Sequence, residues 1–334
     1  MNWMLKAAIQ NLVSLWPSGL SHSLYYRIQR RFGNLRDVKP VSALALGPEV
    51  CARIRLQGGG PAGKVFLEIG TGRRINLPIA LWLLDAAGVV TVDLNPYVKY
   101  ELIQQDLQYI RANRSEIEGL FRDQATFRMD RFEDLLRFDV WRRPIGDLLR
   151  LCHITYRAPA DASRLDVPSR TIDYHVSNQV FEHVPPQDIK AVLAEANRVL
   201  KDGGLCVHRV DFTDHFSHSD ASISAIHFLQ FSDNRWRKYS GNRYMYANRL
   251  RVDDFEELFS ECGQRIVAVD AEVDGRLAEM LAIPGTFRLD ERFKGKPTRV
   301  LATKSAWFVT MPLTSGSPRG GEEDRAAADA ACMP

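Results

Sequence analysis

The sequence lacks the features that mark several specialised classes of protein. Its five cysteines are dispersed, odd in number and never arranged as CxxC, so neither a disulfide framework nor a zinc site is predicted. No apolar run reaches the roughly 18 residues of a membrane span, and a net charge of +3 is too small to indicate nucleic-acid binding. The N-terminus shows no signal-peptide cleavage site. We therefore expect a globular protein of a reducing compartment, the cytoplasm.

Acidic side chains are missing from residues 1–36, which carry one lysine and several arginines. Apolar residues recur there at helical spacing, at Leu5, Ile9, Leu12, Val13 and Trp16. Because a helical stripe usually belongs to the core, we favour a helical cap that packs on the main domain. The alternative is a basic amphipathic surface for anionic lipid, which would make the protein peripheral at the inner membrane face.

The clearest pattern is an apolar run that leads into an acid and two glycines, Val65-Phe66-Leu67-Glu68-Ile69-Gly70-Thr71-Gly72. It predicts a buried parallel strand that ends in a tight loop. Glycine accepts positive φ and lets a ligand approach the main chain. A buried helix is predicted to follow, so the unit would hold a ligand at a helix N-terminus, over the carboxyl end of a strand. A tight turn without a ligand is the alternative.

A second strand is predicted over Gly88-Val89-Val90-Thr91-Val92, and it ends in Asp93. A carboxylate about 20 residues beyond the glycines is the group that meets ribose hydroxyls in nucleotide-binding folds. The same charge repels a phosphate, so NADP is disfavoured as the ligand.

Further strands are predicted over residues 152–156, 171–178 and 205–210, with a helix that starts at Pro185-Pro186 and is closed by Gly203-Gly204. Five strand–helix alternations indicate an α/β fold with a parallel, doubly wound sheet. We expect a helical cap at 1–57 and a main domain at 64–312. Within that domain we expect a helical insertion at 97–150 and a substrate loop at 211–250. Residues 313–334 have the low complexity of a disordered tail.

Several motifs occur in the order found in one known family: Leu67-Glu68-Ile69-Gly70-Thr71-Gly72, Asp93, Asp161-Ala162, Phe181-Glu182-His183-Val184 and the stretch Glu195 to Leu205. Together they resemble class I S-adenosylmethionine-dependent methyltransferases with a type 11 methyltransferase domain. The resemblance implies a Rossmann-like doubly wound sheet of seven strands, the last antiparallel. Arg74 departs from the pattern, because that family commonly has a third glycine there.

The resemblance also implies how S-adenosyl-L-methionine would be held. Each group of residues is assigned to one part of the cofactor: Glu68, Gly70, Thr71 and Gly72 to the methionine moiety, Asp93 to the ribose, Asp161 and Ala162 to the adenine, and Asn178 and Gln179 to the surroundings of the reactive methyl group. A softer resemblance, in residues 20–30 and 211–251, is to methyltransferases of bacterial polysaccharide gene clusters. It implies a sugar or other glycan acceptor.

Methyl transfer to a hydroxyl usually requires a general base, often histidine. We prefer His215 for this role, with Asp214 or Asp211 as the residue that orients it. Four residues are predicted to contact the substrate: His208, Asp211, His218 and Arg249. A divalent metal at Asp211, Asp214, His215 and His218 is an alternative, but the spacing matches no strict metal motif and no metal is predicted.

Two other functions use the same motifs. An NAD-dependent oxidoreductase shares the glycine turn and Asp93, although Asp161-Ala162 and Glu182-His183 argue against it. A non-catalytic scaffold at the membrane surface would retain the fold and cofactor binding without any transfer of a methyl group.

Overall fold

Seven strands form one mixed sheet in the computed structural model, which describes residues 1–36 and 39–313. The strand order is β3-β2-β1-β4-β5-β7-β6. In chain order the strands are β1 (Val65–Ile69), β2 (Gly88–Val92), β3 (Ile154–Arg157), β4 (Ile172–Asn178), β5 (Leu200–Asp211), β6 (Gln264–Val273) and β7 (Thr303–Pro312). Strands β1 to β5 are parallel, and β7 runs antiparallel between β5 and β6. The predicted seven-stranded, doubly wound sheet is confirmed.

The described residues form thirteen α-helices. In chain order they are α1 (Trp3–Ser14), α2 (Ser18–Phe32), α3 (Val41–Leu56), α4 (Asn76–Leu83), α5 (Tyr100–Ala112), α6 (Arg114–Phe121), α7 (Met129–Arg137), α8 (Ile145–Leu151), α9 (Pro186–Val199), α10 (Asp233–Ser240), α11 (Val252–Glu261), α12 (Gly275–Ala282) and α13 (Thr298–Ala302). Four of them, α5 to α8, lie in the region where a helical insertion was expected.

Helices cover both faces of the sheet. In β4, six of seven residues are buried, and three of them, Asp173, His175 and Ser177, are polar. Apolar side chains of α3 to α8 form the core on one face, and those of α9 and α11 form the core on the other. The result is a three-layer α/β/α arrangement, in which the carboxyl ends of the parallel strands meet at one edge.

Gly203-Gly204 does not close a helix, contrary to the prediction. Helix α9 ends at Val199, and both glycines lie within β5, which begins at Leu200. Gly203 has a φ of +76°, so its freedom is used for an irregularity at the start of the strand. The two late strands, β6 and β7, are ten residues long each.

Helix α1 packs on the main domain, but not through the apolar stripe that the sequence pattern predicted to be buried. Trp3, Ala7 and Gln10 are buried, and the indole of Trp3 lies against the rings of Phe216 and Tyr239. The predicted apolar stripe is exposed except for Val13, with Leu12 64% exposed and Trp16 51% exposed. The helix therefore covers the domain with one side and presents an apolar side to the surroundings.

Among the described residues, no helix is long and apolar enough to cross a membrane. The expected disordered tail lies outside the described residues except for its first residue, Leu313.

Candidate active site

The predicted cofactor residues lie together at the carboxyl edge of the sheet. Glu68 is the last residue but one of β1, Asp93 follows β2 directly, and Asn178 ends β4. The direction in which strands are added reverses between β1 and β4. In open α/β sheets a crevice forms at such a reversal, and ligands bind there.

The loop after β1 needs its two glycines for different reasons. Gly70 has a φ of +82°, and a Cβ atom on it would lie 2.5 Å from a methyl carbon of Val180. Gly72 has a φ of +67°, but a Cβ there would meet no atom within 4 Å. The first glycine therefore allows the loop to pack on the β4 loop, whereas the second leaves open space beside the main chain. Such space fits a ligand that approaches the backbone.

Glu68 is buried, and its carboxylate accepts a hydrogen bond from the Thr91 hydroxyl. The hydroxyls of Thr91 and Thr71 are 2.5 Å apart, so the carboxylate, β2 and the glycine loop are linked. Burial raises the pKa of Glu68 to about 8. Glu68 therefore stabilises the glycine loop through the hydroxyls of Thr91 and Thr71.

The Asp93 carboxylate accepts hydrogen bonds from the amides of Gly72, at 2.9 Å, and Asn95, at 3.0 Å. A carboxylate offers about four lone-pair positions, so capacity remains for a diol. Arg74, which replaces the expected glycine, turns away from this crevice and forms an ion pair with the buried Asp106 of α5. Its side chain therefore leaves the loop open.

Asp161 lies in the loop after β3 and is exposed, and its carboxylate accepts hydrogen bonds from the amide and hydroxyl of Ser163. Beside it, Ala162 is half-buried.

At the end of β4, the amide oxygen of Asn178 is buried and has no hydrogen-bond partner. Gln179 follows with a φ of +54°. An unpaired buried acceptor at this edge is consistent with a site that a polar ligand completes.

An aromatic cover over the glycine loop was not predicted from the sequence. The guanidinium of Arg73 lies 5.0 Å from the ring centre of Tyr26 on α2 and 5.6 Å from that of Tyr97. The hydroxyl of Tyr26 donates to Glu101 of α5 at 2.6 Å, and Tyr25 stacks on Tyr244. Tyrosines in a basic helix carried no local signal for this role, because their partners are distant in sequence.

The loop after β5 carries the predicted catalytic histidine. His215 Nε2 lies 3.3 Å from Asp211 Oδ2, so Asp211 is the carboxylate that orients the ring. The ring centres of His183 and His218 lie 4.8 Å and 5.0 Å from that of His215. His218 also contacts the hydroxyl of Thr213 at 2.9 Å. Three histidines and a carboxylate thus converge beyond the ends of β4 and β5.

Asp214 does not orient His215, contrary to one of the two predicted pairings. Its carboxylate is buried, accepts a hydrogen bond from the amide of Phe216 at 2.9 Å and pairs with His227 at 3.2 Å. The residue stabilises the fold of the loop, and its assignment as catalytic is not supported by this geometry.

His208 lies inside the sheet and cannot contact a substrate, so that prediction is wrong. It is fully buried in β5, with one ring nitrogen 3.3 Å from His175 Nδ1 and the other 2.8 Å from the hydroxyl of Ser177. Its ring packs between Phe181 and Phe259. Burial lowers the pKa of His208 well below its ordinary value.

The predicted clamp by Arg249 is also contradicted. The Arg249 guanidinium is buried and donates to the carbonyls of Phe228 and Phe231, at 2.7 Å and 2.6 Å, and to Asp233. Arg251 is fully buried and donates to main-chain carbonyls, including that of Phe212 at 2.7 Å. Both arginines are buried and hold main-chain segments together.

The sequence matches a family model described as "Methyltransferase domain" over residues 46–269, which is more than half of the chain. The chain therefore belongs to this methyltransferase family. It is an enzyme that uses S-adenosylmethionine as the methyl donor. No curated protein matches the sequence.

Solved structures with a similar arrangement share little sequence with this chain. A putative methyltransferase of Haloferax volcanii, solved with its Trm112 activator, is 15% identical over 88% of this chain and 98% of its own, with a TM-score of 0.45. The geranyl diphosphate C-methyltransferase of Streptomyces coelicolor is 13% identical over 81% and 80%, with a TM-score of 0.44. A methyltransferase of Mesorhizobium loti is 14% identical over 81% and 99%, with a TM-score of 0.43.

Proposed function

We propose that this methyltransferase acts on a hydroxyl group of a sugar, a glycan or another small molecule, in polysaccharide biosynthesis. The observation that carries the proposal is the pairing of His215, in the loop after β5, with Asp211, the last residue of that strand, at the edge of the sheet that carries the predicted cofactor residues. A hydroxyl is a poor nucleophile while protonated, and a histidine held by a carboxylate is a suitable proton acceptor.

The cofactor would lie along the carboxyl edge, with its ribose at Asp93 and its adenine at Asp161 and Ala162. The open side of Gly72 and the unpaired amide oxygen of Asn178 support this placement. When bound, S-adenosylmethionine supplies a methyl group on a sulfonium sulfur that is open to in-line displacement. Glu68 and the glycine loop would fix the methionine end, and α2 would limit the access of water.

In the proposed reaction the bound cofactor would supply its methyl group to the acceptor oxygen and would leave as S-adenosylhomocysteine. The acceptor's proton would pass to His215. Asp211 would hold the ring and stabilise its charged form. Alignment at near-attack distance supplies most of the acceleration in such reactions.

The exposed face of α1 supports a second part of the proposal, peripheral contact with a membrane. Eight large apolar residues of residues 1–20 are exposed: Met1, Met4, Leu5, Ile9, Leu12, Leu15, Trp16 and Leu20. Exposed cations follow at Arg27, Arg31 and Arg36, with no acidic residue before residue 37. An apolar helix face flanked by cations is suited to an anionic bilayer.

A second copy of the chain is a weaker candidate for this face. A helix of about 12 residues is roughly 18 Å long, so its apolar side covers roughly 200 Å² at a width of about 10 Å. A stable dimer buries about 800 Å² on each partner. We therefore propose the bilayer as the partner of α1, with residues 1–57 as a helical cap on a methyltransferase domain of residues 64–312.

The function can be tested with radiolabelled S-adenosylmethionine and fractionated cell extract. We expect label in the glycan fraction and loss of that label with the Asp93→Ala variant. S-adenosylhomocysteine should raise the melting temperature and NAD should not. Stabilisation by NAD alone would favour an oxidoreductase, and cofactor binding without labelling of any fraction would favour a scaffold.

A further inference from the structure

Glu182 is a buried acid without a hydrogen-bond partner. It lies in the short 3₁₀ turn after β4 (Phe181–His183) and is 4% exposed. Neither oxygen of its carboxylate has a donor in hydrogen-bonding geometry. Burial raises its pKa well above the ordinary value, although the nearby amides of Glu182 and Asp211 act in the opposite direction. A buried carboxylate left unpaired is costly, so a missing positive partner would explain its position.

His183, the next residue, is oriented by the main chain. Its Nδ1 lies 2.8 Å from the carbonyl oxygen of Tyr246. A carbonyl can only accept, so Nδ1 carries the hydrogen and the lone pair is on Nε2. Metal-binding histidines characteristically donate their other ring nitrogen to a carbonyl or a carboxylate in this way.

His215 has the same kind of support from a carboxylate. Its Nε2 is 3.3 Å from Asp211 Oδ2, so an Nε2–H that donates to Asp211 leaves the lone pair on Nδ1. The rings of His183 and His215 approach at a centroid distance of 4.8 Å. Each histidine therefore has one nitrogen held by the protein and one available.

Three potential ligand atoms, one each from Glu182, His183 and His215, lie within 4.8 Å of one another. Ligand atoms about 2.1 Å from a tetrahedral cation are about 3.4 Å apart, so adjustments of roughly 1 Å would close the set. We propose that Glu182, His183 and His215 form a binding site for a divalent transition-metal cation, with one open position for the acceptor. Two imidazoles and one carboxylate suit Zn²⁺, Mn²⁺ or Fe²⁺.

This inference rests on the proposed transfer to a hydroxyl and changes how that hydroxyl is activated. A cation would use the His215 lone pair, so the hydroxyl would become acidic through coordination and would release its proton to solvent water instead of to His215. Three protein ligands around a tetrahedral cation would leave one position open, and the reacting hydroxyl of the acceptor would occupy it.

The test is a titration of the chelator-treated, dialysed enzyme with Co²⁺, followed by visible absorption, and with Mn²⁺, followed by electron paramagnetic resonance. We expect one equivalent to bind with absorption bands of a nitrogen-ligated ion. His183→Ala and His215→Ala should weaken binding by at least about 100-fold, because each removes a direct ligand. His153→Ala, on an exposed histidine at the start of β3, is the matched control and should bind as the wild type does.

Melting curves establish whether each variant is folded, and the nearly isosteric Glu182→Gln provides a second variant if an alanine variant fails to fold. The absence of binding in the wild type, or equal binding in the ligand variants, would overturn the inference. Methyl transfer at the full rate by metal-free enzyme would also overturn it and leave the proposed function standing. Stoichiometric binding without transfer to any fraction would support the site and contradict the proposed function.

Discussion

His208 and His215 lie on either side of the end of β5 and have opposite surroundings. His208 is enclosed within the sheet, between aromatic rings and beside His175. His215 is partly exposed, next to Asp211 and two further histidines. Two acids show the same contrast. Asp173 lies near the start of β4, inside the sheet, and accepts a hydrogen bond from the amide of Val65. Asp93 directly follows β2, at the edge of the sheet where the ligand site is proposed. Position relative to the strand end, more than residue type, decides whether a polar side chain supports the sheet or faces a ligand.

The largest effect should come from the two histidines of this comparison. His215→Ala should lower kcat by about 10²–10⁴-fold, the usual contribution of a residue that activates the nucleophile. His208→Gln should lower the melting temperature but leave kcat of the folded enzyme within about threefold. Initial rates with labelled cofactor, normalised to folded protein, measure both. A large loss of kcat in folded His208→Gln would show that His208 contributes to catalysis, contrary to the structural role assigned to it.

The two acids provide the next test. Asp93→Asn should weaken binding of S-adenosylhomocysteine by about 10–100-fold, since charge-assisted hydrogen bonds contribute about 1.5–3 kcal/mol each. Asp173→Asn should reduce stability, because it removes the ion pairs with Lys64 and Lys201, without changing cofactor affinity. Isothermal titration calorimetry distinguishes the two outcomes. Equal losses of affinity would show that Asp93 acts only through the fold of its loop.

The buried histidine pair, His175 and His208, predicts a dependence of stability on pH. Burial lowers the pKa of His175 to about 3, below the ordinary unfolded value of about 6.5. The unfolded chain therefore binds a proton that the folded chain does not, and stability is lost progressively as pH falls from about 6.5 towards 3.

At pH 5 the contribution of His175 to this loss is about 2 kcal/mol relative to pH 7. His175→Asn should make the free energy of unfolding less dependent on pH by that amount in urea denaturation at the two pH values. His153→Asn, which alters an exposed histidine, should leave the dependence as in the wild type. An unchanged slope in His175→Asn would mean that the ring is not kept neutral by burial.

The smallest effect concerns the two sides of α1. Leu12→Glu should weaken binding to vesicles of phosphatidylglycerol and phosphatidylcholine by about tenfold, since it removes one leucine from the proposed interface. Leu56→Glu, at a leucine that is 80% exposed on α3, is the control and should bind like the wild type. Sedimentation with vesicles measures the affinity. A dimer in vesicle-free solution that Leu12→Glu dissociates would identify a second copy as the partner instead.

The positions of the predicted cofactor residues in the fold could be predicted because their signals are contiguous in sequence. Gly70 and Asp93 each follow a strand directly, and Gly72 lies two residues after Gly70, so locating the strand also locates the residue. Arg74 was recognised as unusual, but the partner that turns it away, Asp106, lies on a helix whose packing no local pattern specifies.

The acceptor side depends on tertiary contacts that the sequence does not reveal. An alternating strand pattern cannot show that β5 is covered on both faces, which is what buries His208. The exposed side of α1 was misjudged for a similar reason: the polar Gln10 is buried with a hydrogen bond to Tyr25, and Lys6 bonds to the carbonyl of His215. Burial of polar groups becomes acceptable only when distant partners satisfy them.

Helix α2 touches both halves of the site at once. On one side Tyr26 lies over Arg73 of the glycine loop. On the other side Tyr25 and Ser21 contact Tyr244, which precedes the segment that leads to α11. In the proposed arrangement, cofactor exchange and acceptor entry would share one wall, and a displacement of α2 by either molecule would change the entrance used by the other.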